Sequence, residues 1–169
     1  DQDRLSPRTM QWQPSASLDT LAQRARLLGA TRDFFRHRGL LEVETPALVA
    51  YAVSDPHLAN IPARLADGRR LWLHTSPEYH MKRLLAAGAP DIWQLGKVFR
   101  DGEAGRRHEP EFTLLEWYRR DCTLRALADE SCELIATLAS VVGRQLAAPV
   151  YLSYRELFLS ATGIDPLGA

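Results

Sequence analysis

Residues 91–120 read DIWQLGKVFRDGEAGRRHEPEFTLLEWYRR. Two runs rich in aromatic and branched residues, 91–100 and 111–120, flank the charged, glycine-bearing stretch DGEAGRRHEP. That pattern predicts two strands joined as an antiparallel hairpin. Side chains alternate along a strand, so Phe112, Leu114, Glu116 and Tyr118 share one face, and Thr113, Leu115, Trp117 and Arg119 the other. On the first strand Gln94, Gly96, Val98 and Arg100 fall together. One face therefore offers a ring, a carboxylate and a phenol, while the other offers apolar bulk for a core. Arg100 stands at the mouth of a loop that also holds Arg106, Arg107 and His108. A guanidinium grips phosphate bidentately, and Phe112 across the loop can stack on a base. This outlines a nucleotide site on an antiparallel sheet, in a chain without the GxxxxGK[ST] phosphate loop. A solvated charged loop with Phe112 in the core is the plain alternative.

Upstream, RLWLHT (70–75) reads as a strand. Ser76-Pro77-Glu78 then opens a helix, with Ser76 as N-cap and proline at the first helical position. Met81, Leu84 and Leu85 continue the helix to Gly88. Further back, LLEVETP (40–46) alternates as a strand that Pro46 ends. Before it, Ser17 caps a helix running to His37, with Leu18, Leu21, Ala25, Leu28 and Phe35 as its buried stripe and Gly39 closing it. Residues 50–69, with Asp55-Pro56, Asn60, Pro62 and Asp67-Gly68, read as loop with short extended pieces. Downstream a helix spans 123–145, with Leu124, Leu127, Leu134, Leu138 and Val141 on its apolar side. VYLSY (150–154) reads as a strand and RELFLSAT as a short helix. Residues 1–16 form a loose, flexible N-terminal arm. The fold class is α+β, an antiparallel sheet flanked by helices.

Composition narrows the function. The chain has 169 residues, 46% hydrophobic and 25% charged, which is globular. Lys+Arg and Asp+Glu both number 21, so the basic excess of a nucleic-acid coat is absent. Cys122 and Cys132 make no disulfide framework, which points to reduced thiols in a cytoplasmic protein. His74 and His80 lack a third ligand at metal-site spacing, so no metal site is assigned. Trp72, Trp93 and Trp117 fall in strands and are expected in the core. No apolar run reaches the roughly 20 residues of a membrane span.

FRDGEAGRRHEPEFTLLEWY resembles motif 2 of the class II aminoacyl-tRNA synthetases, in the lysyl branch. The helix followed by GLLEVETP resembles motif 1, and HTSPEYHMKRLL resembles the amino-acid-binding segment of that branch. WQPSAS, SPEYHMKRLL and PEFTLLEWYR are similar to the lysyl-tRNA synthetase paralogues that modify elongation factor P, the elongation factor P (R)-β-lysine ligase family. Only a short arm precedes motif 1, which fits that paralogue better than a synthetase with an anticodon-binding domain.

The resemblance implies that Arg100 is catalytic, holding the α-phosphate of ATP and the charge that develops there. Phe112 is expected on adenine, with Asp101, Gly102, Glu103, His108 and Glu109 lining the nucleotide site. Ser76, Pro77 and Glu78 line the amino-acid pocket. Glu78 and Glu116 are expected partners of substrate ammonium groups, and Tyr118 hydrogen-bonds the substrate. Gly102 stands where the pattern has Glu, and Glu109 where it has Asn. Residues 17–169 then form the N-terminal part of the catalytic domain. Motif 3 and the carboxylates for Mg²⁺ are expected beyond Ala169, so the isolated chain is expected to be weakly active or inactive. The implied reaction adenylates lysine or (R)-β-lysine with ATP and passes the acyl group to a lysine of elongation factor P, in a homodimer built on motif 1. A tRNA ligase and a non-catalytic binding or dimerisation module are the alternatives.

Overall fold

A computed structural model describes residues 14–103 and 105–168. The loose arm expected over 1–16 lies outside these for its first thirteen residues. The chain order is α1 (Leu18–His37), β1 (Leu41–Glu42), β2 (Leu48–Val49), β3 (Pro62–Arg64), β4 (Arg70–Leu73), α2 (Glu78–Ala86), β5 (Ile92–Phe99), β6 (Glu111–Tyr118), α3 (Leu124–Val141) and α4 (Tyr154–Thr162). Strands form two sheets, β1-β5-β6 and β2-β4-β3. None of the described helices is long and apolar enough to cross a membrane.

The predicted hairpin is present. β5 and β6 pair antiparallel over their whole length, Ile92 opposite Tyr118 and Phe99 opposite Glu111. The sheet is mixed rather than antiparallel throughout, because β1 runs parallel to β5, with Leu41 beside Ile92 and Glu42 beside Trp93. The strand expected over 40–46 is also shorter. After Glu42 one more backbone bond forms, Val43 N–H to Trp93 O at 2.8 Å. The Gln94 side chain then accepts the Thr45 N–H at 3.1 Å, so a side chain replaces the next rung of the ladder.

One face of the sheet is covered by α1 and α3. Phe34, Phe35, Leu40, Trp93 and Leu134 form the buried core, with Leu95, Leu115, Trp117 and Leu138 packed against it. These include Leu115 and Trp117, which alternation assigned to the apolar face. Phe35 stacks on Trp93 with centroids 4.8 Å apart and tilts against Trp117 at 5.5 Å.

The helices start as their caps require. Ser17, Thr123 and Ser153 each accept a backbone N–H from the first turn. α2 begins one residue later than predicted. Pro77 is its N-cap, and Ser76 makes no capping bond. The buried stripe of α1 needs correcting. Leu18 is 85% exposed, Leu21 46% exposed, and Ala25 is exposed too, while Thr31, Phe34 and Phe35 are buried. The buried residues of α1 all lie in its C-terminal half. α3 stops at Val141, short of 145, because Gly143 at φ 72° takes the left-handed position that returns the chain on itself. Leu124, expected on its apolar side, is 84% exposed.

The strand expected at VYLSY does not form. These residues have no ladder partner, and their side chains are otherwise engaged. Tyr151 lies over the Arg125 guanidinium at 3.6 Å and donates to Asp129, while Ser153 and Glu156 close a capping box for α4.

Phe35 is fully buried between two tryptophans, so Phe35→Ala is expected to cost about 3–5 kcal/mol in unfolding free energy. Denaturant titration followed by tryptophan fluorescence checks this. A loss below about 1 kcal/mol would mean the ring stack is not the centre of the core.

Candidate functional site

The face of the hairpin opposite the core carries Ile92, Gln94, Gly96 and Val98 on β5 against Tyr118, Glu116, Leu114 and Phe112 on β6. Ile92, Gln94 and Val98 are buried, which gives the face a rigid floor. Gly96 has no side chain, so the floor stays open midway between its two ends. Phe112 and Glu116 are four residues apart, about 13 Å at strand rise.

At the loop end, Arg100 is one-quarter exposed and held on three sides. Its Nε donates to Thr75 O at 3.3 Å, its guanidinium lies 5.1 Å from the Phe112 ring centroid, and Nη1 is 3.7 Å from Glu103 Oε1. Gly102, at φ 75°, has its N–H bonded to Asp101 Oδ1 at 2.8 Å. This left-handed turn suits glycine, and the residue after it, Glu103, is the one that lies beside Arg100. The Asp101 backbone is tied to Ala59, N–H to O at 2.9 Å. Arg106, Arg107, His108 and Glu109 are exposed. His108 closes a tight turn with Gly105 through backbone bonds in both directions. The structure thus brings Arg100, Glu103 and Phe112 together and leaves the basic loop tip in solvent.

At the other end, Tyr118 donates to Glu116 Oε1 at 2.6 Å. Burial first, then the bond to Glu116, with the Glu116 and Glu78 charges adding, push the Tyr118 phenol well above its ordinary value. It therefore stays a proton donor at neutral pH. Glu78, on the first turn of α2, pairs with Lys82 at 2.5 Å. That bond is the main reason the Lys82 ammonium is raised, with Glu116 contributing at longer range. α2 thereby sets a carboxylate and an ammonium opposite Glu116. Pro77 is fully buried and shapes this wall from behind. Ser76 lines a small cavity with Asn60, His74, Thr75, Tyr79 and His80. Burial, aided by Arg83 and His74, lowers the His80 imidazole. Among the described residues no cluster of three or more His, Cys, Asp or Glu side chains is arranged to hold a metal ion.

The hairpin's base is clamped ionically. Arg119 donates from Nε and Nη2 to Glu130 on α3 and from Nη1 to Asp91 at 3.2 Å. Trp117 Nε1 also donates to Glu130, and Arg38 lies 3.6 Å from it. The bonds from Arg119 to Glu130 raise the guanidinium's affinity for its proton further. This clamp adjoins Tyr118 and holds the site's floor against α3. Sequence reading missed its partners, as it missed Thr75, Lys82 and the hydrogen-bonding role of His74. Only the Glu78–Lys82 spacing of four on a helix was a usable signal.

The model of the tRNA synthetases class II (D, K and N) matches residues 1–159. The chain belongs to this family of class II synthetases. Among its curated relatives is an elongation factor P--(R)-beta-lysine ligase of Histophilus somni (strain 2336), 46% identical over 164 residues, 94% of this chain and 49% of that protein. Proteins of the same name from Pasteurella multocida (strain Pm70) and Yersinia enterocolitica are 47% and 46% identical, over 94% and 95% of this chain and 49% and 50% of theirs. The chain thus spans about half the length of the curated relatives it matches. The stretch GLLEVETP begins between α1 and β1, and FRDGEAGRRHEPEFTLLEWY runs from the last residue of β5 through its loop and β6.

Asp91 gives the clamp a pH signature. The Arg120 backbone N–H, donating at 2.8 Å, is the main reason its carboxyl lies below the usual range, with Arg119 and Arg120 adding and burial opposing. A carboxyl lowered in the folded state adds stability that is complete above its unfolded value, about 3.9. That contribution is lost as pH falls through the folded value. Asp91→Asn is expected to be less stable at neutral pH and to lose less on acidification below about pH 4 than the parent. Urea midpoints across that range measure it. Parallel pH curves for the two proteins would remove Asp91 from the clamp.

Proposed function

We propose that this chain supplies ATP- and amino-acid-binding parts of a ligase that activates a lysine-like amino acid and passes it to a lysine of elongation factor P. One observation carries the reading. A single sheet face bears an arginine–aromatic pair at one end and a carboxylate–phenol pair at the other, with a second carboxylate brought over it from α2. Similarity to the elongation factor P--(R)-beta-lysine ligases supports the acceptor and favours (R)-β-lysine over lysine.

In the reaction a carboxylate oxygen of the amino acid attacks the α-phosphorus of ATP. The bond to pyrophosphate breaks, giving the aminoacyl-adenylate. The acceptor lysine's neutral amine then attacks the acyl carbon, AMP leaves, an amide forms and the amine gives up a proton. Arg100 holds the α-phosphate and stabilises the charge gathering there. Phe112 stacks on adenine, and Asp101, Gly102, Glu103, His108 and Glu109 line the nucleotide site. Ser76, Pro77 and Glu78 line the amino-acid pocket, where Glu78 and Glu116 pair with ammonium groups and Tyr118 donates a hydrogen bond. Mg²⁺ accompanies ATP on ligands outside the described residues. Residues 17–169 act as the motif 1 and motif 2 part of the catalytic domain. The exposed Leu18 and Leu21 of α1 support a homodimer, and the protein works in the cytoplasm with elongation factor P rather than tRNA.

ATP–pyrophosphate exchange in the full natural protein, with lysine and (R)-β-lysine assayed separately, tests the reading. Exchange with either is expected, and none with both would overturn it. Arg100→Ala should lower kcat/KM about 100- to 1,000-fold, and Arg100→Lys should recover little, because a point charge lacks the planar fork. Acylation of elongation factor P exceeding that of tRNA is the expected acceptor result.

A further inference from the structure

We infer that His74 is a positioning residue that locks the amino-acid segment to the phosphate-binding arginine, an inference resting on the ligase reading above. His74 is 4% exposed and follows β4 directly. Its N–H donates to Ala47 O at 2.8 Å, and its carbonyl accepts the Phe99 N–H at 3.0 Å. Its ring Nε2 lies 2.8 Å from Lys97 O. A carbonyl oxygen only accepts, so Nε2 carries the proton. The next carbonyl, Thr75 O, accepts from Arg100 Nε, and Ser76, Pro77 and Glu78 follow at once.

The ring sits where the sheet needs it. β1 leaves β5 after Trp93, and the last backbone bond between them is that of Val43. Further along this edge the second sheet takes over through the two His74 bonds to Lys97 and Phe99. The imidazole is thus a buried side-chain rivet between the two sheets. The second sheet leads from β4 into Ser76–Glu78, while Arg100, Phe112, Glu116 and Tyr118 belong to the hairpin of the first. His74 Nδ1 has no partner among the described residues. The Lys97 carbonyl alone therefore sets the tautomer and holds the ring.

Adenylation requires the substrate carboxylate and the α-phosphorus to meet in one geometry, and an error near 1 Å costs about a hundredfold. Loss of the rivet should therefore let Ser76–Glu78 shift against Arg100 and lower the chemical rate, while the remaining contacts still bind each substrate. In ATP–pyrophosphate exchange by the full natural protein, His74→Phe is expected to lower kcat about ten- to a hundredfold. KM for ATP and for the amino acid should each stay within about threefold. His74→Gln places an amide N–H near the Nε2 position and should recover most of the rate. His74→Asn places it near Nδ1 and should behave like His74→Phe. Should His74→Phe not fold, the Gln–Asn pair decides. Equal kcat in those two, wild-type kcat in His74→Phe, or a rise in KM together with the fall in kcat and no recovery by Gln would each overturn the inference. Absence of exchange in the wild type strikes the ligase reading itself, which separates the two failures.

Discussion

The eight residues of β5 stand one-to-one against the eight of β6. A slip of β6 by one residue would turn Leu115 and Trp117 toward the site, and Glu116 and Tyr118 into the helices. Both outcomes are costly. The first strips large apolar side chains from the core, and the second buries a carboxylate without its partners. The core and the site therefore select the same register from opposite faces. That shared dependence is why a stretch so rich in charge pairs in a single way.

The base of the hairpin meets a second constraint. Glu130 is nearly buried, yet it accepts bonds from Arg119 and Trp117 with Arg38 close by. Desolvating these charges opposes much of their attraction, so the cluster is not a large source of stability. Its contribution is geometric. Arg119 directly follows Tyr118, and Asp91 directly precedes Ile92, so both strands are pinned to α3 at the point where they enter the site. A polar cluster that is fully satisfied tolerates little displacement, since each lost bond leaves a buried group unpaired.

How much was readable from residues alone depended on distance along the chain. The hairpin, the helices, the cap at Ser17, and the face holding Phe112, Glu116 and Tyr118 follow from local sequence signals, and all are present. The parallel pairing of Leu41 with Ile92 depends on residues far apart in sequence, which local alternation does not encode. VYLSY has strand composition, but composition cannot say that Arg125 and Asp129 will claim Tyr151. The capping box Ser153-x-x-Glu156 was the local signal that opposed a strand there. Exposure of Leu18 and Leu21 shows a similar limit, since helical spacing marks an apolar stripe without saying how much of it the sheet covers. In the site, Arg100 and Phe112 were legible as neighbours across one loop. Thr75, which holds Arg100, was not, because that bond joins two sheets.

The charge layout gives the proposed reaction a direction. Glu78 and Glu116 mark one end of the proposed site with one cation, Lys82, which bonds Glu78 and feels the charge of Glu116, so that end carries net negative charge. Arg100 marks the opposite end of the same face. A lysine-like substrate is cationic at its amines and anionic at its carboxylate. Under the proposed reading its distal amine would lie toward the carboxylates and its own carboxylate toward the α-phosphate held by Arg100. The reverse orientation sets like charges together at both ends, and each such contact is repulsive. Tyr118 reinforces this polarity, because burial and Glu116 keep its phenol protonated and no further negative charge accumulates beside the carboxylates. The middle of the face carries only Gly96 and Leu114, so nothing polar competes for the substrate between its two ends. Under the proposed reading the two termini of one strand pair would therefore orient the substrate before any residue touches the reacting atoms.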